Sequence, residues 1–312
     1  MKHYIIGHQK PDLDSVVAAI SLAEFFKQKG DPTGTPVLAD PINPETEFVL
    51  NKFGVTPPPV ITANDITPED QILLVDHNEE DQRLPGINPD QISGIVDHHK
   101  ANLNLNHPIS ISVKTWGSTN TIIYFKFKLH GLTVSTDLAK LMLAAILSDT
   151  VGLKSATTTD KDKEAIKDLS NIAGISDIDG LTLEIFKAKS NITELAPEEI
   201  VKNDYKVFEF AQKTFIGQLE TVEQENLISN RKEELLSALQ KVKEEEGVQL
   251  AFLAITDVLK VNTKLLLASE TEATVAEKAF SQTPTKDNLI DIGAKLSRKK
   301  EIAPPIEKTL AK

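Results

Sequence analysis

The run Tyr4-Ile5-Ile6-Gly7-His8-Gln9-Lys10-Pro11-Asp12-Leu13-Asp14-Ser15 carries three apolar residues into a polar loop and then into a helical pattern. From Ser15 to Lys29, apolar side chains recur at Val16, Ala19, Ile20, Ala23 and Phe26, which is one face of a helix, and Gly30-Asp31-Pro32 stops it. A short buried strand feeding such a helix is half of a βαβ unit, and the unit recurs. Ile72–Val75 and Ile92–Val96 read as further buried strands, and Asp137–Ser148 as a helix apolar enough to be covered on most sides. Thr158–Ala173 reads as a solvent-facing helix, and Trp116 as a core residue.

At 312 residues the chain exceeds what one hydrophobic core usually serves. Ser190–Pro197 breaks the periodicity and places a proline ahead of Glu198-Glu199, which marks a linker. The expected division is a metal-binding catalytic domain over 1–189, a hinge linker over 190–197 and a substrate-binding domain over 198–312. In the second domain Lys206–Phe210, Thr214–Leu219, Gln249–Thr256 and Lys264–Ser269 read as strands and Asn230–Glu246 as a charged helix. The fold class expected is α/β: an N-terminal parallel-sheet α/β domain plus a smaller C-terminal α/β domain with a mixed sheet.

Composition narrows the chemistry. A formal charge of -12 disfavours nucleic acid and anionic lipid as partners, so a polyanionic substrate needs a local cationic site. With no cysteine there is neither disulfide nor thiolate, and a metal must be held by carboxylate, imidazole or backbone. No stretch reaches the ~20 apolar residues of a membrane span. The amino terminus lacks a signal-peptide core, so the expectation is a soluble, cytoplasmic protein without membrane partners.

Three of the buried strands end in acidic, histidine-bearing loops: His8 to Asp14, Asp76-His77-Asn78 and Asp97-His98-His99. In an open parallel sheet, ligands bind beyond the carboxyl ends of the strands, so these loops converge. Asp149, at the negative end of the buried helix, is a fourth acid suited to a cation. Asp12, Asp14, Asp76 and Asp149 with His8 and His98 form a mixed oxygen and imidazole set that suits Mn²⁺, Co²⁺, Fe²⁺ or Zn²⁺ better than Mg²⁺. Four packed carboxylates would repel each other, and two divalent ions cancel them. Two such ions, roughly 3.5–4 Å apart, share a water acidified to hydroxide near neutral pH, which implies metal-assisted hydrolysis of a phosphorus ester or anhydride. Ser297-Arg298-Lys299-Lys300 and Lys206 are candidates for gripping phosphate. Taken singly, each loop has an ordinary reading as a turn or helix cap, and Gly117-Ser118-Thr119 reads as a cap sooner than as an anion site.

His8-x3-Asp12-x-Asp14, Asp76-His77-Asn78, Asp97-His98-His99, Ser148-Asp149-Thr150 and Ser297-Arg298-Lys299-Lys300 resemble, in order and over nearly the whole chain, the motif set of the family II (manganese-dependent) inorganic pyrophosphatases of the Asp-His-His phosphoesterase superfamily. The first four motifs are shared by the wider superfamily, and the last points to the pyrophosphatases. The resemblance implies an inorganic diphosphatase that hydrolyses pyrophosphate in a cleft between the domains. It implies that His8, Asp12 and Asp149 hold one ion, Asp14 and His98 the other, and that Asp76 bridges both. Apart from the resemblance, Asp12 is a candidate to help take up the proton of the shared water, with another group as the alternative base. His99 would bind substrate, and Lys206, in Asp204-Tyr205-Lys206-Val207-Phe208, would grip the phosphates with Arg298 and Lys299. Two tightly bound Mn²⁺ per subunit, with Co²⁺ as a substitute, further Mn²⁺ or Mg²⁺ arriving with pyrophosphate, and a homodimer come with the same resemblance. The short Glu79–Val96 gap leaves no room for the nucleotide-binding insert of some members. A related exopolyphosphatase or nuclease, and a non-catalytic metal or phosphate sensor, are the rival readings.

Overall fold

A computed structural model describes residues 1–190 and 195–311, and the chain divides into two compact units, Met1–Lys189 and Ser190–Lys312. In the first unit β1 (His3–Ile6) leads into α1 (Leu13–Gln28), β2 (Gly34–Val37), α2 (Pro44–Lys52), β3 (Gln71–Val75), β4 (Ile92–Asp97) and β5 (Ser110–Val113). Four helices follow: α3 (Thr119–Leu129), α4 (Thr136–Asp149), α5 (Asp160–Ala173) and α6 (Ile178–Ser190). The strands form one sheet in the order β2-β1-β3-β4-β5, and every neighbouring pair is parallel. This order reverses direction between β1 and β3, which is where open parallel sheets leave a crevice for ligands. The loops that carry His8 and Asp76 leave from those two strands.

Facing, not burial, follows the two-residue period of a strand. Tyr4, Ile6, Ile72 and Leu74 pack together on one face, while Ile5, equally buried, points to the other; Ile92 and Ile95, three apart, both join that face because the β3–β4 register shifts at Ser93. Because both faces are covered, the strands read as continuous apolar runs. Gly7 lets the first loop close on α1: a Cβ there would lie 1.8 Å from Ser15 Oγ, the atom that accepts the His8 amide.

In the second unit come α7 (Pro197–Val201), β6 (Asp204–Glu209), β7 (Lys213–Thr221), α8 (Gln224–Glu245), β8 (Leu250–Asp257), β9 (Asn262–Leu267), α9 (Glu270–Phe280), β10 (Leu289–Gly293), one π-helical turn over Arg298–Ile302, and α10 (Ala303–Leu310). The sheet order is β10-β9-β8-β7-β6, with β7 and β8 parallel and the other pairs antiparallel, so the sheet is mixed. Alternate residues serve two cores. Phe215, Leu219 and Leu253 pack with Leu235 and Leu239 of α8, whereas Ile216, Phe252 and Leu265 pack with Val275 of α9 and Ile306 of α10. Gly217 is the tight point, since a Cβ there would come 2.5 Å from the Val201 main-chain oxygen. Gly217→Ala must push α7 off β7, an overpacking that costs about 1–3 kcal/mol. Thermal denaturation is expected to show the variant melting lower, and an unchanged melting temperature would contradict this packing.

The α/β class with a parallel first sheet and a mixed second sheet agrees with the sequence reading, and several details differ. Trp116 is half-buried and meets Phe125 edge-on at 5.2 Å, so it is not a core residue. The helix expected over 158–173 begins at Asp160 behind a Thr159–Asp162 capping box and buries Ala165, Ile166 and Leu169, so it is amphipathic and not wholly solvent-facing. Of the linker expected over Ser190–Pro197, Ser190 ends α6 and Pro197 begins α7, while 191–194 lie outside the described residues. No helix among the described residues is long and apolar enough to cross a membrane.

Candidate metal centre

The expected ligands converge at the carboxyl ends of β1, β3 and β4. Asp12 caps α1, its Oδ1 accepting the Ser15 amide at 3.0 Å, so the ordinary capping role is real and coexists with a place in the cluster. Asp76 follows β3 with φ at 62°, a left-handed conformation that few residues other than glycine, Asn and Asp tolerate. That turn sets its fully buried carboxylate between two groups of donors. On one side His8 Nε2 lies 3.6 Å from Asp76 Oδ2 and 3.6 Å from Asp12 Oδ1. On the other, His98 Nε2 lies 3.4 Å from Asp76 Oδ1 and 3.2 Å from Asp149 Oδ2.

Three sets of side chains bring one ligand atom each within 4.8 Å of one another: His8, Asp12 and Asp76; Asp14, Asp76, His98 and Asp149; and Asp76, His98 and His99. Asp76 belongs to all three. Asp149, expected beside His8 and Asp12, is grouped here with Asp14 and His98. The chain continues as helix through Asp149, so its carboxylate sits on the last turn of α4 and not beyond it.

His8 and His98 are both held in an orientation suited to a metal ligand. His8 Nδ1 meets the Gln9 carbonyl at 2.7 Å and His98 Nδ1 meets the Trp116 carbonyl at 3.0 Å. Each ring thereby spends its Nδ1 proton on backbone and turns Nε2 toward the carboxylates, the arrangement that fixes a metal-binding tautomer. The buried Asp149 Oδ2 makes no hydrogen bond. A donor set of four carboxylates and two imidazoles, with one buried oxygen unsatisfied, fits a pair of divalent ions of the manganese type.

Electrostatics point the same way. Burial would depress the His8 imidazole, but the Asp12 and Asp76 carboxylates outweigh it and push it up to about 11. His98, likewise opposed by burial, is pushed up to about 10 by Asp76, Asp14 and Asp149. Burial and then the Asp76 charge raise Asp14 to about 7, and burial followed by Asp14 and Asp76 raises Asp149 well above the carboxylate range. Asp76 is the exception: burial would raise it, but the two imidazoles hold it far below its ordinary value. Without cations the cluster is therefore proton-laden, with protons standing where positive charge is required.

A second tier of residues went unassigned in the sequence. The anion at the amino end of α3 is Asp14 itself: Ser118 Oγ donates to its Oδ1 at 2.5 Å, and the amide of Thr119 donates to its Oδ2 at 2.7 Å. Thr119 Oγ1 also donates to Asp76 Oδ1 at 2.8 Å. The Gly117-Ser118-Thr119 run thus caps its helix and holds two carboxylates. His77, undecided in the sequence, is buried with Nδ1 at 2.9 Å from the Val75 carbonyl and Nε2 without a hydrogen bond. His99 is half-exposed, and Asp97 takes both its amide at 3.0 Å and its Nδ1 at 2.9 Å.

The other expected residues lie in the second unit. Lys206 is on the edge strand β6, its ammonium 5.3 Å from the Phe208 ring centroid. Arg298 opens the π-helical turn; its amide is held by Gln218 Oε1 at 3.1 Å and its Nη2 by Asp204 Oδ1 at 2.9 Å, which ties it to the strand that carries Lys206. Lys299 follows it and is exposed. Gln218 is buried and also donates to the Leu296 carbonyl, so one side chain sets the turn; nothing in its strand pattern had marked it.

Comparison with known proteins places this geometry. Residues 2–146 match the DHH family, N-terminal domain, and residues 183–309 match the DHHA2 domain. The chain is 40% identical over 314 residues, covering 98% of each chain, to the manganese-dependent inorganic pyrophosphatase of Methanocaldococcus jannaschii. It is 39% identical to that of Methanothrix thermoacetophila over 99% of this chain and 98% of that one. Among solved structures it resembles the putative family II inorganic pyrophosphatase of Methanococcus jannaschii, with 39% identity, a TM-score of 0.61 and coverage of 99% of this chain and all of that one. An exopolyphosphatase-related protein from Bacteroides fragilis, at 16% identity and a TM-score of 0.53, shares the fold. With paired DHH and DHHA2 domains and full-length relatives of this kind, the chain belongs to the manganese-dependent, family II inorganic pyrophosphatases of the DHH family.

Proposed function

We propose that the chain hydrolyses inorganic pyrophosphate to two phosphates at a centre for two Mn²⁺ ions. The observation that carries this reading is Asp76, which offers one oxygen to the His8–Asp12 group and the other to the His98–Asp149 group. His8 and Asp12 would hold one ion, Asp14 and His98 the other, and Asp76 both, with Asp149 completing the set. Bound there, the pair of ions would supply an acidified, shared water as nucleophile and neutralise charge on the substrate.

The chain's own residues supply the rest. Asp12, capping α1 at the rim of the cluster, takes up a proton as water is consumed. Asp97 lifts the His99 imidazole above its ordinary value against burial, so His99 remains a donor that can hydrogen-bond or protonate the departing phosphate. Lys206, Arg298 and Lys299 of the second unit grip the phosphates, Arg298 through the planar fork that Asp204 and Gln218 hold in place. In this reading both units touch one substrate and the hinge lets them close on it, with 1–189 the catalytic domain and 198–312 the substrate domain. Additional Mn²⁺ or Mg²⁺ arrives with the pyrophosphate, and Co²⁺ can stand in at the centre. A homodimer is supported by β5, an open sheet edge with Ile111 about half exposed. A cytoplasmic location completes the proposal.

Phosphate release with Mn²⁺ from pyrophosphate, ATP, polyphosphate and a dinucleotide tests it. Pyrophosphate is expected to be cleaved far faster than the other three. Preferential release from polyphosphate or the dinucleotide, or no release from pyrophosphate, would refute the assignment.

A further inference from the structure

Between the second and third acidic loops lies a buried polar hub whose residues carry no assigned role. Asn78 is fully buried, and every hydrogen of its side-chain amide is used: Nδ2 donates to Asp97 Oδ2 at 2.6 Å and to the Lys100 carbonyl at 3.0 Å. Its Oδ1 accepts the Asn102 amide at 2.6 Å. The main-chain carbonyl of Asn78 accepts from Arg83 Nη2 at 2.9 Å. Arg83 is itself 4% exposed, and among the described residues no carboxylate lies within ion-pair distance of it. Its buried Nε makes no hydrogen bond, so the Nη2 bond to the Asn78 carbonyl is what offsets the cost of burying this guanidinium. The Arg83 carbonyl is tied in turn by Gln9 Nε2 at 2.7 Å, next to His8.

What the hub grips is Asp97, a fully buried carboxylate whose other oxygen holds the amide and Nδ1 of His99. His99 has a competing place to go. Its Nδ1 is also 3.9 Å from Asp76 Oδ1, and it counts among the side chains able to join Asp76 and His98 as a ligand. We infer that Asn78, braced by Arg83, is a positioning residue that pins Asp97 so that His99 faces substrate and stays out of the metal set. Asn78 supplies the N–H that Asp97 Oδ2 needs in a dry site, which leaves Oδ1 free to lock His99 through Nδ1. The inference rests on the reading of His99 as a substrate-facing donor.

Asn78→Asp keeps the shape but sets a carboxylate against Asp97 where an N–H was donated. A positioned proton donor contributes roughly 10²–10⁴-fold to turnover, so partial misplacement of His99 is expected to lower kcat on pyrophosphate by about 10–100-fold while KM moves less than about threefold and the manganese content per chain is retained. The swap Asn78→Asp with Asp97→Asn restores an N–H···O pair and is expected to recover a large part of the loss. Arg83→Met, which leaves Asn78 in place, is a second route should Asn78→Asp fold poorly; it is expected to lower kcat with the same small change in KM. A readout independent of turnover is the histidine ¹⁵N spectrum of the metal-free protein, where the His99 Nδ1–H signal is expected to move in Asn78→Asp and in Arg83→Met and to return in the swap. An unchanged kcat and unmoved His99 signal, a swap no better than the single variant, or loss of manganese in step with activity would overturn the inference. Were the parent protein inactive on pyrophosphate, the functional reading would fall, while the spectral arm would still report whether Asn78 governs His99.

Discussion

Asp76→Asn is expected to abolish pyrophosphate hydrolysis and to weaken manganese binding by well over the ~100-fold that the loss of an outer-shell partner alone can cause. Two features make this the most damaging single change. Asp76 is the one carboxylate common to all three potential ligand groups, and its two oxygens face different histidines. It is also the carboxylate that stays ionised: His8 and His98 hold it far below its ordinary value, whereas burial and repulsion raise Asp14 and Asp149. Asn keeps the size and tolerates the φ of 62°, so the backbone turn survives and the loss isolates the charge. Isothermal titration of Mn²⁺ into the variant, beside its kcat, checks it. Tight binding of two ions per chain with near-parental turnover would refute the role given to Asp76.

The second large effect is on pH. In the metal-free protein His8 is raised to about 11 and His98 to about 10, so across neutral and mildly alkaline pH both carry protons that must leave when Nε2 takes an ion. Metal affinity should therefore climb with pH, by about tenfold per unit for each proton displaced, until pH passes those values. The same shifts fix how metal-free stability responds. A group whose folded pKa is raised binds more protons folded than unfolded, so its contribution is full below the unfolded value near 6.5 and is lost as pH rises toward 10–11. Asp14, raised to about 7, works in the same direction at lower pH. Metal-free protein is expected to melt at lower temperature at pH 9.5 than at pH 6.5, with a much smaller change once manganese replaces the protons. Titration in buffers of different ionisation enthalpy should give a release of at least two protons at pH 8, one from each imidazole, with any carboxylate proton of the cluster adding to them. PH-independent affinity with no proton release would contradict the charge arrangement.

The sequence made the first sheet legible because its strands are buried on both faces, so Tyr4–Ile6, Ile72–Val75 and Ile92–Val96 stand out as unbroken apolar runs. The strands that escaped notice are the edges. Gly34–Val37 carries a glycine and a proline, and Ser110–Val113 alternates serine with apolar residues at half-exposed positions, so neither has the density of a core strand. In the candidate centre, all six proposed metal-binding side chains could be chosen beforehand because ionisable residues after buried strands are conspicuous. The groups that aim them were not legible. The Trp116 carbonyl that orients His98 is backbone and has no residue signature, and Ser118, Thr119 and Asn78 are polar residues whose partners lie 104, 43 and 19 positions away. Asp12 shows why single loops mislead, since it caps a helix as any Asp in that place would, and only its distance to His8 marks it as more.

In the proposed centre two cations lie side by side on opposite oxygens of Asp76. Diffraction from crystals grown with manganese, recorded on both sides of the manganese absorption edge, measures this directly. Two anomalous peaks per chain are expected, roughly 3.5–4 Å apart, flanking that carboxylate with His8 beside one and His98 beside the other. A single peak per chain, or two peaks that do not share Asp76, would contradict it.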